Sequence, residues 1–510
     1  MSTTRVRCGR TALTLALLGA LSTAALATAG SASAETLAPP ATAGTAPTTS
    51  LADVSALVGA DTLHTSGLTG RGVDVALLDT GIAPVRGLDA PGKVVNGPDL
   101  SFESQSPSTA YLDGYGHGTH LAGIVAGPDG VAPGARLVNV RVGAANGAVD
   151  VSQIIAGIDW VVQHRHDGDL DIRVLNVAVG TDSRLAAVDD PLAKAVDNAW
   201  RHGIVVVTAV GNDGAEDHRV ASPSTDPNVL AVGATDSAGS TDPADSTAAG
   251  FSARGSMRKP DLLAPGSRIA SLRTPGSYLD VLYPQARRGD DLFRGSGTSQ
   301  ASAVVSGAAA LLLQQRPDLT PDQVKQLLLS SSAPVAGSRS AGNQQLDVAA
   351  AAAATTPSRV QRLRTLGGTG SLEAARGTQH VVRDGVVLTG DRDIFGKPFD
   401  SSRWAADAAA ASAWDGGTWN GSTWSGSSWS SSSWSSSSWS SSSWSSSSWS
   451  GSSWSASSWS ASSWSASSWS GSSWSSSSWS ASSWSGSSWS ASSWSGSSWS
   501  SSGWSGDQWA

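Results

Sequence analysis

Five short, mostly apolar runs of strand length constrain this chain more than any other feature: Val73–Leu78, Ala135–Val142, Ile172–Val179, Ile204–Val210 and Val229–Ala234. Each is apolar nearly throughout instead of alternating with polar residues, which suits strands covered on both faces. Helical stretches such as Val151–His164 and Ala187–His202 lie between them. This alternation predicts an α/β fold with a doubly wound, mostly parallel sheet and helices on both faces. In such sheets the working residues gather beyond the carboxyl ends of the strands.

Three polar positions fit that placement. Asp79 closes the first run and opens Asp79-Thr-Gly81, although Asp-x-Gly also caps ordinary turns. In the stretch from Gly114 to Gly127, His117 and His120 stand three apart. A metal site would need a third ligand, and Gly118 makes the first histidine pre-helical. The better fit has His117 facing a site and His120 packed inside. Finally, Gly295-Ser-Gly-Thr-Ser-Gln-Ala-Ser302 turns into a run of small and then large apolar residues ending at Leu313. That helix is too apolar and small-sided for a surface. Ser299 falls in its first turn, where free backbone N–H groups stabilise negative charge, but a capping serine would look the same.

Taken in order, Asp79-Thr-Gly81, His117-Gly-Thr-His120 and Gly297-Thr-Ser-Gln-Ala301 resemble the signature blocks of the subtilisin-like serine peptidases, in their secreted actinobacterial type. The order Asp, His, Ser is that family's, where other serine hydrolases have His, Asp, Ser or Ser, Asp, His. The resemblance covers residues 51–352. It implies that Ser299 attacks a peptide carbonyl, that His117 takes and returns the proton, and that Asp79 holds the imidazole. A carboxyl peptidase of the same fold, with Ser-Glu-Asp, is disfavoured by His117.

The run ending in Gly211-Asn212 resembles the family's oxyanion strand, so Asn212 matches its side-chain donor. Read alone, Asn212 is a turn residue favoured at positive φ. Asn176–Gly180 resembles the segment that pairs with substrate, with Ala-Val-Gly in place of the usual Ser-Leu-Gly. Ala178, Val179, Gly180, Val210 and Gly211 are therefore the expected substrate-binding residues, small and uncharged. Backbone pairing reads no sequence, which implies a broad endopeptidase. The chemistry requires no cofactor. The resemblance leaves room for structural calcium, with no ligands assignable.

Gln300, Ala303 and Val304 depart from the family pattern, in which Met and then Pro-His follow the serine. They imply altered packing. The alternative is a weak or inactive member acting as a binding or scaffold protein. The charged loop Gln285–Asp291 is expected to border the substrate cleft.

The ends carry separate signals. Arg5, Arg7 and Arg10, the apolar run Thr11–Gly30 and Ala32-Ser-Ala34 read as a secretory signal over residues 1–34, with no stop-transfer flank to retain it in a membrane. Cys8 lies within it and is the single cysteine of the 510 residues, so the mature chain would have no disulfides. Losing that segment takes the formal charge from −8 to −11, against a nucleic-acid partner. Residues 35–50 read as a flexible leader, too short for the inhibitory pro-domain of many relatives. The resulting expectation is a secreted protein acting on proteins or peptides.

Thr320 and Pro321 read as N-cap and first residue of a terminal surface helix, closing the peptidase domain by residue 352. Residues 353–413 read as a connector of uncertain order, with a hairpin over His380–Leu388. From Trp414 to Trp509 a tryptophan recurs every fifth residue, mostly as Trp-Ser-x-Ser-Ser. That spacing gives one apolar face on neither a strand nor a helix. Residues 414–510 therefore read as a disordered low-complexity tail, or else as aromatic platforms that associate or retain the protein on cell-wall glycan.

Overall fold

The computed structural model describes residues 47–104, 109–214, 219–335, 344–358, 360–361, 364–383, 386–415, 417–424, 428–501 and 504–509, the last two as backbone only. The expected signal segment and most of the leader lie outside the described residues. The end of the leader is docked: Thr49 bridges in parallel to Ile269. Ser50 then forms a reciprocal capping box with Asp53, a local device that contributes about 1 kcal/mol to a helix start.

In chain order the first half comprises α1 (Leu51–Val58), α2 (Ala60–Thr65), β1 (Asp74–Asp79), β2 (Val94–Asp99), α3 (His117–Ala126), β3 (Arg136–Arg141), α4 (Val151–His164), β4 (Ile172–Val177), α5 (Pro191–Arg201), β5 (Val205–Ala209) and β6 (Leu230–Asp236). There follow β7 (Thr247–Ala248), β8 (Leu262–Pro265), β9 (Ile269–Leu272), α6 (Tyr278–Leu282), β10 (Arg287–Arg288), β11 (Leu292–Gly295), α7 (Thr298–Gln315), α8 (Pro321–Ser331), β12 (Ala333–Pro334), β13 (Gln344–Gln345) and α9 (Val348–Ala353).

The five apolar runs coincide, to within two residues, with β1, β3, β4, β5 and β6. The main sheet runs β12-β13-β8-β6-β5-β4-β1-β3-β2, parallel from β2 to β13 and antiparallel at β12. From β1 the chain goes to the far edge, returns through β3 beside β1, then crosses to β4 on its other side. Strand order therefore reverses around β1, and Asp79 is its last residue. Residues Thr298–Leu313 of α7 are buried without a break, as the composition of that helix requires.

The structure corrects the expectation of a domain closing at residue 352. Gln323 of the N-capped α8 donates to Pro357 O at 3.4 Å, and the chain continues into α10 (Leu372–Arg376), β14 (Val382–Arg383), β15 (Val386–Val387) and α11 (Ser401–Ala409). Strands β14 and β15 form the expected antiparallel hairpin; its turn lies outside the described residues. The expected connector is a packed belt, with Leu372, Ile394, Phe399 and Trp404 in the main core. Its anchors come from several short elements, of which α11 carries a helical period, with Ser401, Trp404, Ala405 and Ala408 buried.

The first repeats also depart from the expected disorder. Trp414–Asp415, Thr418–Trp419 and Ser422–Thr423 form an antiparallel meander, and Trp414, Trp419 and Trp424 are buried. A spacing of five alternates faces only along a straight strand. Here Gly417 (φ 85°) and Gly421 (φ 69°) turn the chain between tryptophans, so all three face the core. The Trp419 and Trp404 indoles both donate to Asp159 Oδ2 on α4, at 2.8 and 2.7 Å. Trp414 Nε1 donates to Ala156 O of the same helix at 2.9 Å. Farther on, the extended backbones Ser428–Ser501 and Trp504–Trp509 pair in parallel, Trp484 opposite Trp504 and Trp489 opposite Trp509, an offset of four pentads.

Candidate active site

Asp79, His117 and Ser299 each stand at the end of an element. Asp79 closes β1, His117 opens α3, and Ser299 is the second residue of α7, after the extended N-cap Gly297. Helices α3 and α7 pack against one another. All three side chains are buried, with Ser299 1 % and His117 0 % exposed.

His117 Nδ1 lies 2.8 Å from Asp79 Oδ1 and 3.0 Å from Oδ2. Against an ionised carboxylate Nδ1 carries the proton, which leaves the Nε2 lone pair of the neutral ring as a base. The Asp79 carboxylate is itself fixed by Thr80 N at 2.7 Å and Thr80 Oγ1 at 3.1 Å. Thr80 Oγ1 accepts from Gly118 N at 3.0 Å and lies 2.8 Å from Asp113 Oδ1. Asp113 in turn accepts from Gly116 N at 2.7 Å and Thr119 N at 2.8 Å. It thereby holds the start of α3, and burial raises its pKa. Thr80 and Asp113 were not singled out from the sequence; both lie within or beside the signature blocks, and only contact reveals their role.

His120 is internal, as expected. Its Nε2 lies 3.0 Å from Phe293 O and 3.3 Å from Ile269 O. Burial, with His117 nearby, lowers its pKa to about 4. The neutral ring donates to these carbonyls.

The candidate oxyanion segment follows β5. Positive φ at this turn belongs to Gly211 (107°), so Asn212 is not there to supply it. Asn212 Oδ1 accepts from Thr298 N at 2.9 Å, while Gly211 N donates to Thr298 Oγ1 at 3.3 Å. The amide orientation of Asn212 is thus fixed by the residue preceding Ser299. On the other side Ser299 Oγ lies 3.4 Å from Ala178 O. Ala178, Val179 and Gly180 leave the end of β4 beside Val210 and Gly211 at the end of β5, in the parallel register of those strands. The segment is held from behind. Thr181 pairs with Ser222 through two 2.9 Å bonds, Thr181 Oγ1 donates to Ala375 O at 2.6 Å, and Asp182 accepts from Thr378.

Several charged side chains elsewhere are neutralised internally. Asp99 and Glu103 take the buried Arg141 guanidinium, and Asp280 takes Arg273 and Arg287. Among the described residues no cluster of three or more His, Cys, Asp or Glu is placed to hold a metal ion, and these acidic groups do not fit a calcium ligand set. No helix among them is long and apolar enough to cross a membrane.

A doubly wound sheet with an Asp–His pair at its switch point and a serine opening the buried helix defines the class, a serine hydrolase on an α/β scaffold. Comparison with known proteins narrows this. The profile of the subtilase family, peptidase S8, matches residues 70–347. Serine protease AprX of Bacillus subtilis (strain 168) is 42% identical over 276 residues, 51% of this chain and 61% of AprX. The chain thus spans less than two thirds of that relative's length. Subtilisin Savinase of Lederbergia lenta is 34% identical over 292 residues, 56% of this chain and 93% of that protein. The crystal structure of a cold adapted subtilisin-like serine proteinase is 31% identical, with 55% of this chain and 90% of that one covered and a TM-score of 0.44. The chain belongs to the subtilase family of serine endopeptidases.

Proposed function

We propose that this chain is an exported endopeptidase that hydrolyses peptide bonds of proteins through an acyl-enzyme at Ser299. The observation that carries this is the two-oxygen contact of Asp79 with His117 Nδ1, made where the first turn of α7 presents Ser299. Ser299 Oγ attacks the carbonyl carbon as His117 Nε2 takes its proton, and the C–O bond forms. The C–N bond then breaks, and the imidazolium gives that proton to the leaving amine. Water, deprotonated by the same ring, releases the acyl group. Asn212 Nδ2 and the backbone at the α7 start stabilise the oxyanion. Substrate pairs as a strand along Ala178–Gly180, with Val210 and Gly211 walling a small, uncharged pocket, which favours broad apolar specificity.

Labelling of the purified protein with a fluorophosphonate, beside Ser299→Ala, tests this reading. Labelling that disappears in the variant and competes with a protein substrate is expected. A folded wild-type protein that neither labels nor cleaves casein would support the scaffold alternative.

The repeats beyond residue 424 we assign to retention on cell-wall glycan, through the tryptophans that recur every fifth residue. The full chain is expected to sediment with isolated cell walls, and a chain ended at Trp424 to stay in solution. Equal partition of the two would discard retention.

A further inference from the structure

We propose that the excursion between β9 and β11, centred on α6, is a binding subsite for the part of the substrate that follows the scissile bond, and that it selects apolar or aromatic side chains there. This rests on the endopeptidase reading above.

The excursion is tied to both sides of the site. β9 and β11 pair antiparallel, Leu272 opposite Leu292 and Ile269 opposite Gly295, and β11 runs directly into the turn that presents Ser299. At its other end α6 is joined to the segment that delivers His117. Tyr278 N donates to Gly114 O at 2.9 Å and Leu279 N to Tyr115 O at 3.0 Å. The approach is close enough that a Cβ on Gly116 would lie 2.5 Å from Ser277 Oγ.

Its frame is rigid. The buried Asp280 carboxylate accepts from Arg273 Nε at 2.6 Å and Nη2 at 2.9 Å, from Arg287 Nε at 2.8 Å, and from Gly276 N at 2.9 Å. Charge-assisted bonds of this kind, several on one carboxylate, hold a loop in a single geometry. Yet this pinned helix turns large apolar side chains outward. Tyr278 is 48%, Val281 67% and Leu282 51% exposed. One face of the Tyr278 ring is stacked on the buried Tyr115 at 5.7 Å between centroids. A frame so well determined beneath exposed apolar groups is what a docking surface needs, because the ordering cost is already met before the ligand arrives.

The direction of the substrate identifies the occupant. Ser299 Oγ stands against Ala178 O, so the acyl part runs along Ala178–Gly180. The leaving amine must reach the imidazole of His117, and the chain attached to it continues past Gly114 and Tyr115, where α6 lies. The backbone bonds to Gly114 and Tyr115 tether α6 to the segment that leads into His117.

Internally quenched peptides that differ only in the three residues after the scissile bond, apolar against Ser and Gly, test this beside an anilide with the same acyl part and no residues beyond the bond. The wild type is expected to favour the apolar peptides by roughly 10- to 100-fold in kcat/KM, the range that one or two buried side chains give. In Tyr278→Ser and in Val281→Ser/Leu282→Ser that preference should fall towards unity while the ratio of Ser/Gly peptide to anilide hydrolysis is kept. Tyr278→Phe should retain it. Val386→Ser, an exposed apolar side chain on the β14–β15 hairpin, should change neither ratio. A preference that survives both α6 variants, or a loss shared equally by the anilide, overturns the subsite. No anilide hydrolysis and no Ser299 labelling in the wild type would overturn the endopeptidase reading and the subsite with it.

Discussion

Arg376 and Asp150 form an ion pair in which neither side chain reaches solvent, with Arg376 Nε 2.6 Å from Asp150 Oδ2. Asp150 is also the N-cap of α4, accepting from Ser152 N at 2.9 Å. The same guanidinium donates to Gly390 O at 2.7 Å and bonds Arg392 O. One side chain thus joins the C-terminal belt to a helix of the peptidase core. Truncating a buried pair leaves a charge without compensation, which costs about 3–5 kcal/mol. Arg376→Ala should lower the unfolding free energy by that amount in a urea titration. A change under 1 kcal/mol, the range of exposed pairs, would mean the belt is not coupled to the core.

Truncation separates the belt from the repeats. A chain ended at residue 352 loses the contacts of Ala375 and Thr378 with Thr181 and Asp182 that back the substrate strand. It should express poorly or show a raised KM, whereas a chain ended at Trp424 should match the full protein in kcat/KM and melting temperature. Equal behaviour of the two truncations would refute the boundary.

Removing the Asn212 amide tests transition-state stabilisation. Asn212→Ala should lower kcat by about 10²–10³, the loss typical of removing one oxyanion donor in a subtilisin, with KM little changed. Asp79→Asn should cost about 10⁴ in kcat by favouring the wrong imidazole tautomer. A rise confined to KM in either variant would argue against these roles.

Burial raises the pKa of Asp159 to about 7, against the two indole bonds that lower it. A raised carboxyl pKa means that the folded state keeps a proton the unfolded state has lost. Its stabilising contribution is present below the ordinary value and declines as pH rises towards 7, by roughly 4 kcal/mol in all. Asp159→Asn keeps an oxygen for both indoles and does not ionise. Its melting temperature relative to wild type should therefore climb from pH 4 to pH 7 and then level off. A pH-independent difference would show that Asp159 is ionised throughout.

His120 has the opposite dependence. With its pKa lowered to about 4, the unfolded state binds a proton first, so stability is full above about pH 6.5 and falls as pH drops towards 4. The loss is roughly 3 kcal/mol. His120→Gln, which can still donate to the Phe293 and Ile269 carbonyls, should lack that acid slope in urea titrations between pH 4 and 7.

Much of this protein is local. An apolar run that is buried on both faces must look alike wherever it occurs, so β1, β3, β4, β5 and β6 were legible one at a time. The same is true of the α7 helix, whose small side chains admit no surface position, and of Asp79, His117 and Ser299, which sit at element ends defined by their neighbours. The belt was not legible. Arg376, Trp404 and the first two repeat tryptophans, Trp414 and Trp419, take their meaning from Asp150, Asp159 and Ala156, more than two hundred residues away in sequence. Trp419 is chemically the same residue as the tryptophans beyond it, and the turns at Gly417 and Asn420–Gly421 bring it inside. Thr80 and Asp113 likewise carry no signal until the fold sets them against Asp79. Sequence by itself determined five central strands of the sheet, the order of the signature blocks and the candidate nucleophile, because periodicity and turn residues act over a few positions. Tertiary structure decided where the domain ends and what holds the site, because pairing a buried charge or indole depends on what the fold brings to it.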